Sequence, residues 1–106
     1  MKLNINDTML IEDVTAEGLE GELRALNPDQ FLILSKSKND FIQVYFTNNM
    51  QFVVEYQVNG ELFCAHDERI SYESVKEAFA SYFTGSENWL KIYNWQSMNS
   101  EDLLLV

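Results

Sequence analysis

The dipeptide Asn59-Gly60, set between the alternating runs FVVEYQV (52–58) and ELFCAH (61–66), constrains the fold of this chain more than any other feature. A tight type I′ turn needs positive φ at both central positions, and Asn-Gly supplies them at the least steric cost. Such a turn also fixes a register, placing Val58 opposite Glu61, Tyr56 opposite Phe63 and Val54 opposite Ala65. Side chains alternate across a strand, so one face of the hairpin carries Phe52, Val54, Tyr56, Val58, Phe63 and Ala65. The other carries Val53, Glu55, Gln57, Leu62, Cys64 and His66, with Glu55 opposite Cys64 and diagonal to His66. The first set reads as a core face and the second as a face of mixed chemistry.

Two further segments share the period of two: FLILS (31–35) and FIQVYFT (41–47), rich in β-branched and aromatic residues and bounded by Ser/Lys/Asn and Asn-Asn. Together with the hairpin they predict an antiparallel meander. A three-residue loop over Asn48-Asn49-Met50 brings Ile42, Val44 and Phe46 onto the core face. Phe41, Gln43 and Tyr45 then join Glu55 and His66 on the other. A two-residue Asn-Asn loop would exchange these two sets.

Helices flank the meander. TAEGLEGELRAL (15–26) spaces Leu19, Leu23 and Leu26 for a helix, with Glu20 four residues ahead of Arg24, and Asn27-Pro28 ends it. Gly18 and Gly21 each cost about 1 kcal/mol relative to alanine, so packing must hold this helix. SYESVKEAFASYFTG (71–85) has the clearest helical stripe, Val75, Ala78, Phe79, Tyr82 and Phe83. Ser71 is its N-cap, Glu73 suits the positive end of the dipole, and Gly85 is its left-handed C-terminal cap. WLKIYNW (89–95) alternates as a final strand along the sheet, with Trp89, Lys91, Tyr93 and Trp95 on one side. It also fits a short helix aligning Trp89, Ile92 and Tyr93; the strand is the preferred reading, with one or both tryptophan rings covering an edge of the core, the alternative being an exposed binding patch. The expected architecture is α+β: an antiparallel β-meander of four to five strands packed against a C-terminal helix, with an N-terminal helix, in one domain spanning 1–106.

The 46% apolar and 13% aromatic content over 106 residues suffices for one folded core. Seventeen acidic against seven basic residues give a net charge of −10, which opposes binding to nucleic-acid phosphates. Residues 1–30 hold seven acids and two bases, residues 67–106 seven and three, and the stretch between only three and two. Acidic flanks of this kind keep a small protein soluble or steer a basic partner. One cysteine, Cys64, permits no internal disulfide, and the opening MKLNINDTML has no apolar leader run. No apolar stretch approaches the roughly eighteen residues of a membrane span. A cytoplasmic protein is the expectation.

Reactive groups are sparse. His66 is the only histidine, and a Cys64/His66/Glu55 set can be written on one face of the hairpin. Residues two apart on a strand point the same way, which does not by itself bring their side chains to hydrogen-bond distance, so an ordinary half-exposed strand face is the simpler reading. Gly18, Gly21 and Gly60 form no phosphate-cradling loop, and the carboxylates lack calcium-loop spacing. No catalytic residue, metal or cofactor is expected.

The succession FLILS, DFIQVYF, FVVEYQVNGELF and SYESVKEAFASYFTGSENWLKIYNW resembles a group of small bacterial α+β proteins, the immunity proteins of polymorphic or contact-dependent toxin systems. The likeness covers about residues 31–96 and rests on Phe41-Ile42-Gln43, Glu55-Tyr56, Gly60, Val75, Ala78-Phe79, Tyr82, Gly85, Trp89 and Trp95 in that order. It implies a non-catalytic protein that neutralises a cognate toxin by tight binding, and strong acidity suits a basic toxin domain as partner. For such a role the contact surface is expected on the sheet face away from the helix, at Gln43, Tyr45, Glu55 and His66, supported by Trp95 and the acidic flanks. The competing readings are an acidic adaptor or nucleic-acid mimic that occupies a basic protein surface, and a small-molecule-binding module using the space between the last helix and the sheet.

Overall fold

Asn59 and Gly60 adopt φ of 52° and 83°, and the strands they join pair Val58 with Glu61 and Tyr56 with Phe63, the register the turn dictates. In the computed structural model, which describes residues 1–98, this hairpin lies near one end of a larger sheet. Along the chain the elements are β1 (Lys2–Ile5), β2 (Met9–Ile11), α1 (Ala16–Arg24), β3 (Gln30–Ser37), β4 (Asp40–Phe46), β5 (Phe52–Val58), β6 (Glu61–Ala65), α2 (Tyr72–Thr84), α3 (Trp89–Ile92) and β7 (Trp95–Ser97). The strands form a seven-stranded sheet in the order β2-β1-β3-β4-β5-β6-β7, antiparallel at every junction, and the class is α+β. Of the acidic flank read over 67–106, Glu101 and Asp102 lie outside the described residues.

The loop between β4 and β5 resolves the alternative registers. Thr47 N–H donates to Gln51 O at 2.8 Å, Met50 N–H donates to Thr47 O at 3.1 Å, and Met50 takes φ 63°. This is a three-residue turn closed by a left-handed residue. Phe46, Val44 and Ile42 therefore face Phe52, Val54 and Tyr56, while Gln43 faces Glu55 and Tyr45 faces Val53.

The expected four to five strands are seven. Those missing from the expectation are β1 and β2, a hairpin turned by Asn6 and Asp7, each at φ 56°, with Thr8 N–H donating to Ile5 O at 3.0 Å. Spans of four and three residues are too short for alternation to stand out in sequence. β1 is held by β3, pairing Leu3 with Leu34 and Ile5 with Leu32, a partner more than twenty-five residues away.

The strand expected over WLKIYNW is also corrected. Residues Trp89–Ile92 form α3, and extended structure begins only at Trp95, where β7 pairs Trp95 with Ala65 and Gln96 with Cys64. Leu90 N–H to Glu87 O at 3.0 Å and Lys91 N–H to Asn88 O at 2.9 Å close the helical turn, and Ser81 Oγ of α2 accepts from Trp89 N–H at 3.1 Å. The turn drives Trp89 into the core, edge-on to Tyr56 and Tyr82 with ring centroids 4.7 and 5.4 Å away.

Helix caps follow the sequence. Ser74 N–H donates to Ser71 Oγ at 3.1 Å, and Gly85 closes α2 at φ 84°. Thr15 Oγ1 caps α1 by accepting from Gly18 N–H at 3.0 Å. α2 buries Val75, Ala78, Phe79 and Tyr82, with Phe83 only half-buried, and α1 buries Leu19 and Leu23. These join Leu3, Leu32, Leu34, Ile42, Val44 and Val54 of the sheet in one cluster, each such side chain contributing roughly 1.5–3 kcal/mol. Glu20 of α1 accepts both Arg24 and Lys76 at 3.3 Å, tying α1 to α2. Both helices thus lie on one side of the sheet.

Candidate functional site

Among the described residues, no helix packs on the opposite side of the sheet. A cross-strand row runs Asn4, Ile33, Gln43, Glu55, Cys64, Gln96, and a second row runs Phe31, Tyr45, Val53. None of these nine side chains is fully buried, whereas their chain neighbours Leu32, Leu34, Ile42, Val44 and Val54 are, so the alternation separates core from open face residue by residue.

At the centre of the open face, Gln43 Nε2 donates to Glu55 Oε1 at 2.7 Å. A carboxylate only accepts, so this contact turns the amide nitrogen towards Glu55 and leaves Gln43 Oε1 directed elsewhere. One row away, Tyr45 O–H donates to Asp29 Oδ1 at 3.0 Å. That hydrogen bond is the chief reason the Tyr45 phenol is raised above its ordinary value, followed by desolvation and the Asp29 charge. Asp29 is itself fixed, at φ 68° with its N–H donating to Phe46 O at 2.7 Å. Phe31, Gln43, Tyr45 and Glu55 line a shallow, open recess of about 240 Å³.

Gln43, Tyr45 and Glu55 are therefore brought together, as the sequence suggested. His66 is not with them. It follows the end of β6, is exposed, donates its backbone N–H to Asn94 O at 2.9 Å, and borders a separate depression of about 640 Å³ with Gln51, Phe52 and Arg69. Trp95 is on the helix side, edge-on to Tyr56 at 4.6 Å and to Tyr93 at 5.3 Å, with its indole N–H donating to Trp89 O at 3.3 Å. It serves the core cluster rather than the open face.

Phe31 and Asp29 complete the site and were not singled out from the sequence. Phe31 was recoverable: it shares the parity of Ile33, opposite to the buried Leu32 and Leu34, and the β3–β4 register sets it against Tyr45. Asp29 carries only the signal of a polar residue after Pro28 at a strand entrance.

Burial first, and then the Glu55 charge, raise the Cys64 thiol above its ordinary value, so the thiolate that nucleophilic chemistry requires is disfavoured. Its Sγ lies 3.6 Å from Ala65 O. Among the described residues no three His, Cys, Asp or Glu side chains are grouped as a metal ion would need, and no helix is long and apolar enough to cross a membrane. A further cleft of about 490 Å³, between the end of α2 and the sheet, is lined by Lys36, Asp40, Tyr56, Phe63, Glu87 and Trp89. There Tyr82 O–H donates to Asp40, and Lys36 Nζ sits 4.6 Å over the Tyr82 ring.

The exposed acids Glu17, Glu73 and Glu77 belong to α1 and α2, on the other side of the sheet from Glu55. Compared with protein-family models, with curated proteins and with solved structures, the chain matches none.

Proposed function

We propose that this chain is a non-catalytic binding protein of the immunity type, which neutralises a cognate toxin domain by docking it on the open sheet face. The observation that carries this reading is the pair of fixed polar contacts, Gln43 to Glu55 and Tyr45 to Asp29, standing beside half-buried apolar residues on a face that no helix among the described residues covers. Interface centres favour this mixture of rings and hydrogen-bonding groups whose side-chain freedom is already lost. The resemblance over residues 31–96 supplies the class of partner, and the charge of −10 favours a basic one. Acids on α1 and α2 act at a distance, raising the encounter rate, so salt slows association more than it speeds dissociation.

The test begins with the neighbouring genes: a toxin domain found there is co-expressed with the chain, an alanine scan of affinity follows, and a neighbourhood without a toxin domain counts against the immunity reading. The chain should restore growth, and Glu55→Ala should weaken binding at least about tenfold, or 1.4 kcal/mol. Neutral results at Gln43, Tyr45 and Glu55, with loss on changing Glu17 and Glu22 of α1, would reject the sheet face. That outcome would favour the acidic adaptor or nucleic-acid mimic, to which exposed helix-side acids are suited.

A further inference from the structure

We infer that the recess on the open face takes an arginine side chain of the protein partner, with Glu55 and Gln43 as its acceptors and Phe31 and Tyr45 as its walls. The inference rests on the proposed function and names the group that the face would recognise.

Charge is the first reason. Glu55 is half-buried, and the two ion pairs among the described residues, Arg24 and Lys76, both use Glu20. Lys36 is committed to the Tyr82 ring on the helix side. Glu55 thus has no cation within ion-pair distance among the described residues, and Asp29 adds a second carboxylate at the rim of the same recess through Tyr45. A carboxylate already partly removed from water loses less hydration when a cation covers it, so a pair formed there is stronger than one on an open surface.

Geometry is the second. Gln43 satisfies one oxygen of Glu55 at 2.7 Å, which leaves the other oxygen and the Gln43 carbonyl as two acceptors from directly paired positions on β4 and β5. A guanidinium offers several N–H groups in one plane and can address both acceptors together, whereas an ammonium is a point donor. Phe31 and Tyr45, directly opposed on β3 and β4, flank those acceptors with aromatic surface, and a planar guanidinium can stack flat against a ring while still donating in its plane, which a point-like ammonium cannot. The Tyr45 ring is held by Asp29 and the carboxylate by Gln43, so the Tyr45 wall and the acceptors need little ordering on binding.

The proposal is tested by amide and side-chain NMR titration of the whole chain with the peptide Ac-Gly-Arg-Gly-NH2. The lysine and citrulline peptides of the same form serve as controls. Saturable shifts are expected at the Gln43 side-chain amide and at the Phe31, Tyr45 and Glu55 backbone amides. They should be at least about fivefold weaker for lysine and for citrulline, and lost in Glu55→Gln, whose spectrum reports its own folding. No saturable shift, an equal response to lysine, or an unchanged response in Glu55→Gln overturns the arginine assignment. Toxin neutralisation is measured in the same variants. If the peptide fails while Tyr45→Ala and Gln43→Ala still abolish neutralisation, the face stands as the docking site and the arginine is wrong. If Glu55→Gln neutralises the toxin as well as the parent, the recess does not hold the partner's arginine.

Discussion

Gln43 and Glu55 face each other across β4 and β5, joined side chain to side chain at 2.7 Å on a surface open to solvent. A hydrogen bond to a charged acceptor contributes more than a neutral one, but here half-exposure reduces it towards about 1 kcal/mol. A double-mutant cycle over Gln43→Ala and Glu55→Ala, read by urea melts, should give a coupling of about 1 kcal/mol. Each single change should cost little more than that. A coupling near zero would mean that the pair is not held in solution and that Glu55 is not preorganised.

The core makes a larger demand. Phe79 is fully buried at the centre of the α2 stripe, against a sheet face of Leu, Ile and Val. Phe79→Ala should cost on the order of 3–5 kcal/mol, the loss of transfer energy together with the cavity left behind. Urea denaturation measures it directly. A variant as stable as the parent would remove the α2 stripe from the core.

Much of this architecture was legible because it depended on local chemistry. Asn59-Gly60 set the β5–β6 register, and Ser71 and Gly85 marked both ends of α2. β1 and β2 were not legible, since Lys2–Ile5 is held by β3 and only the sheet makes it a strand. At 89–95 the alternation of Trp89, Lys91, Tyr93 and Trp95 was real but incidental. Burial of Trp89 against Tyr56 and Tyr82 is better served by a helical turn, and this packing outweighs strand propensity. At the candidate site, Gln43, Tyr45 and Glu55 followed from the parity of two strands. Phe31 required the β3–β4 register, and Asp29 required a side-chain contact that no periodicity encodes.

Trp95 offers a discriminating case. Its ring meets Tyr56, Trp89 and Tyr93 edge-on, and its indole N–H is satisfied by Trp89 O. Trp95→Ala should therefore lower stability by roughly 2–4 kcal/mol, somewhat below a fully buried tryptophan because the ring is only half-buried. Partner affinity, measured at a temperature where the variant is folded, should stay within about twofold of the parent. A stable variant that binds at least about tenfold more weakly would instead return Trp95 to the contact surface.

The buried phenols make stability fall at high pH. Burial, opposed by the Ser74 contact and reinforced by the charges of Asp67 and Glu77, pushes Tyr93 up to about 12 from an ordinary 10. Tyr82 is raised further, by burial and then by its hydrogen bond to Asp40. A phenol whose folded pKa exceeds its unfolded value keeps its proton in the folded state while the unfolded chain releases it. Below pH 10 both states hold the proton and nothing changes. Above pH 10 ionisation favours the unfolded chain, and the loss continues until the folded phenol itself ionises, near pH 12 for Tyr93. Each such tyrosine steepens the decline by up to about 1.4 kcal/mol per pH unit within its window. Urea melts between pH 9 and 11 should show a plateau followed by this decline, and Tyr93→Phe should flatten it by about 1 kcal/mol per pH unit near pH 11. The phenylalanine ring keeps the packing and loses only the hydroxyl, so its melts at pH 8 supply the baseline for the Ser74 contact at 2.9 Å. An identical slope in the parent and in Tyr93→Phe would show that the Tyr93 phenol titrates alike in both states and would overturn its assignment as a phenol raised by burial.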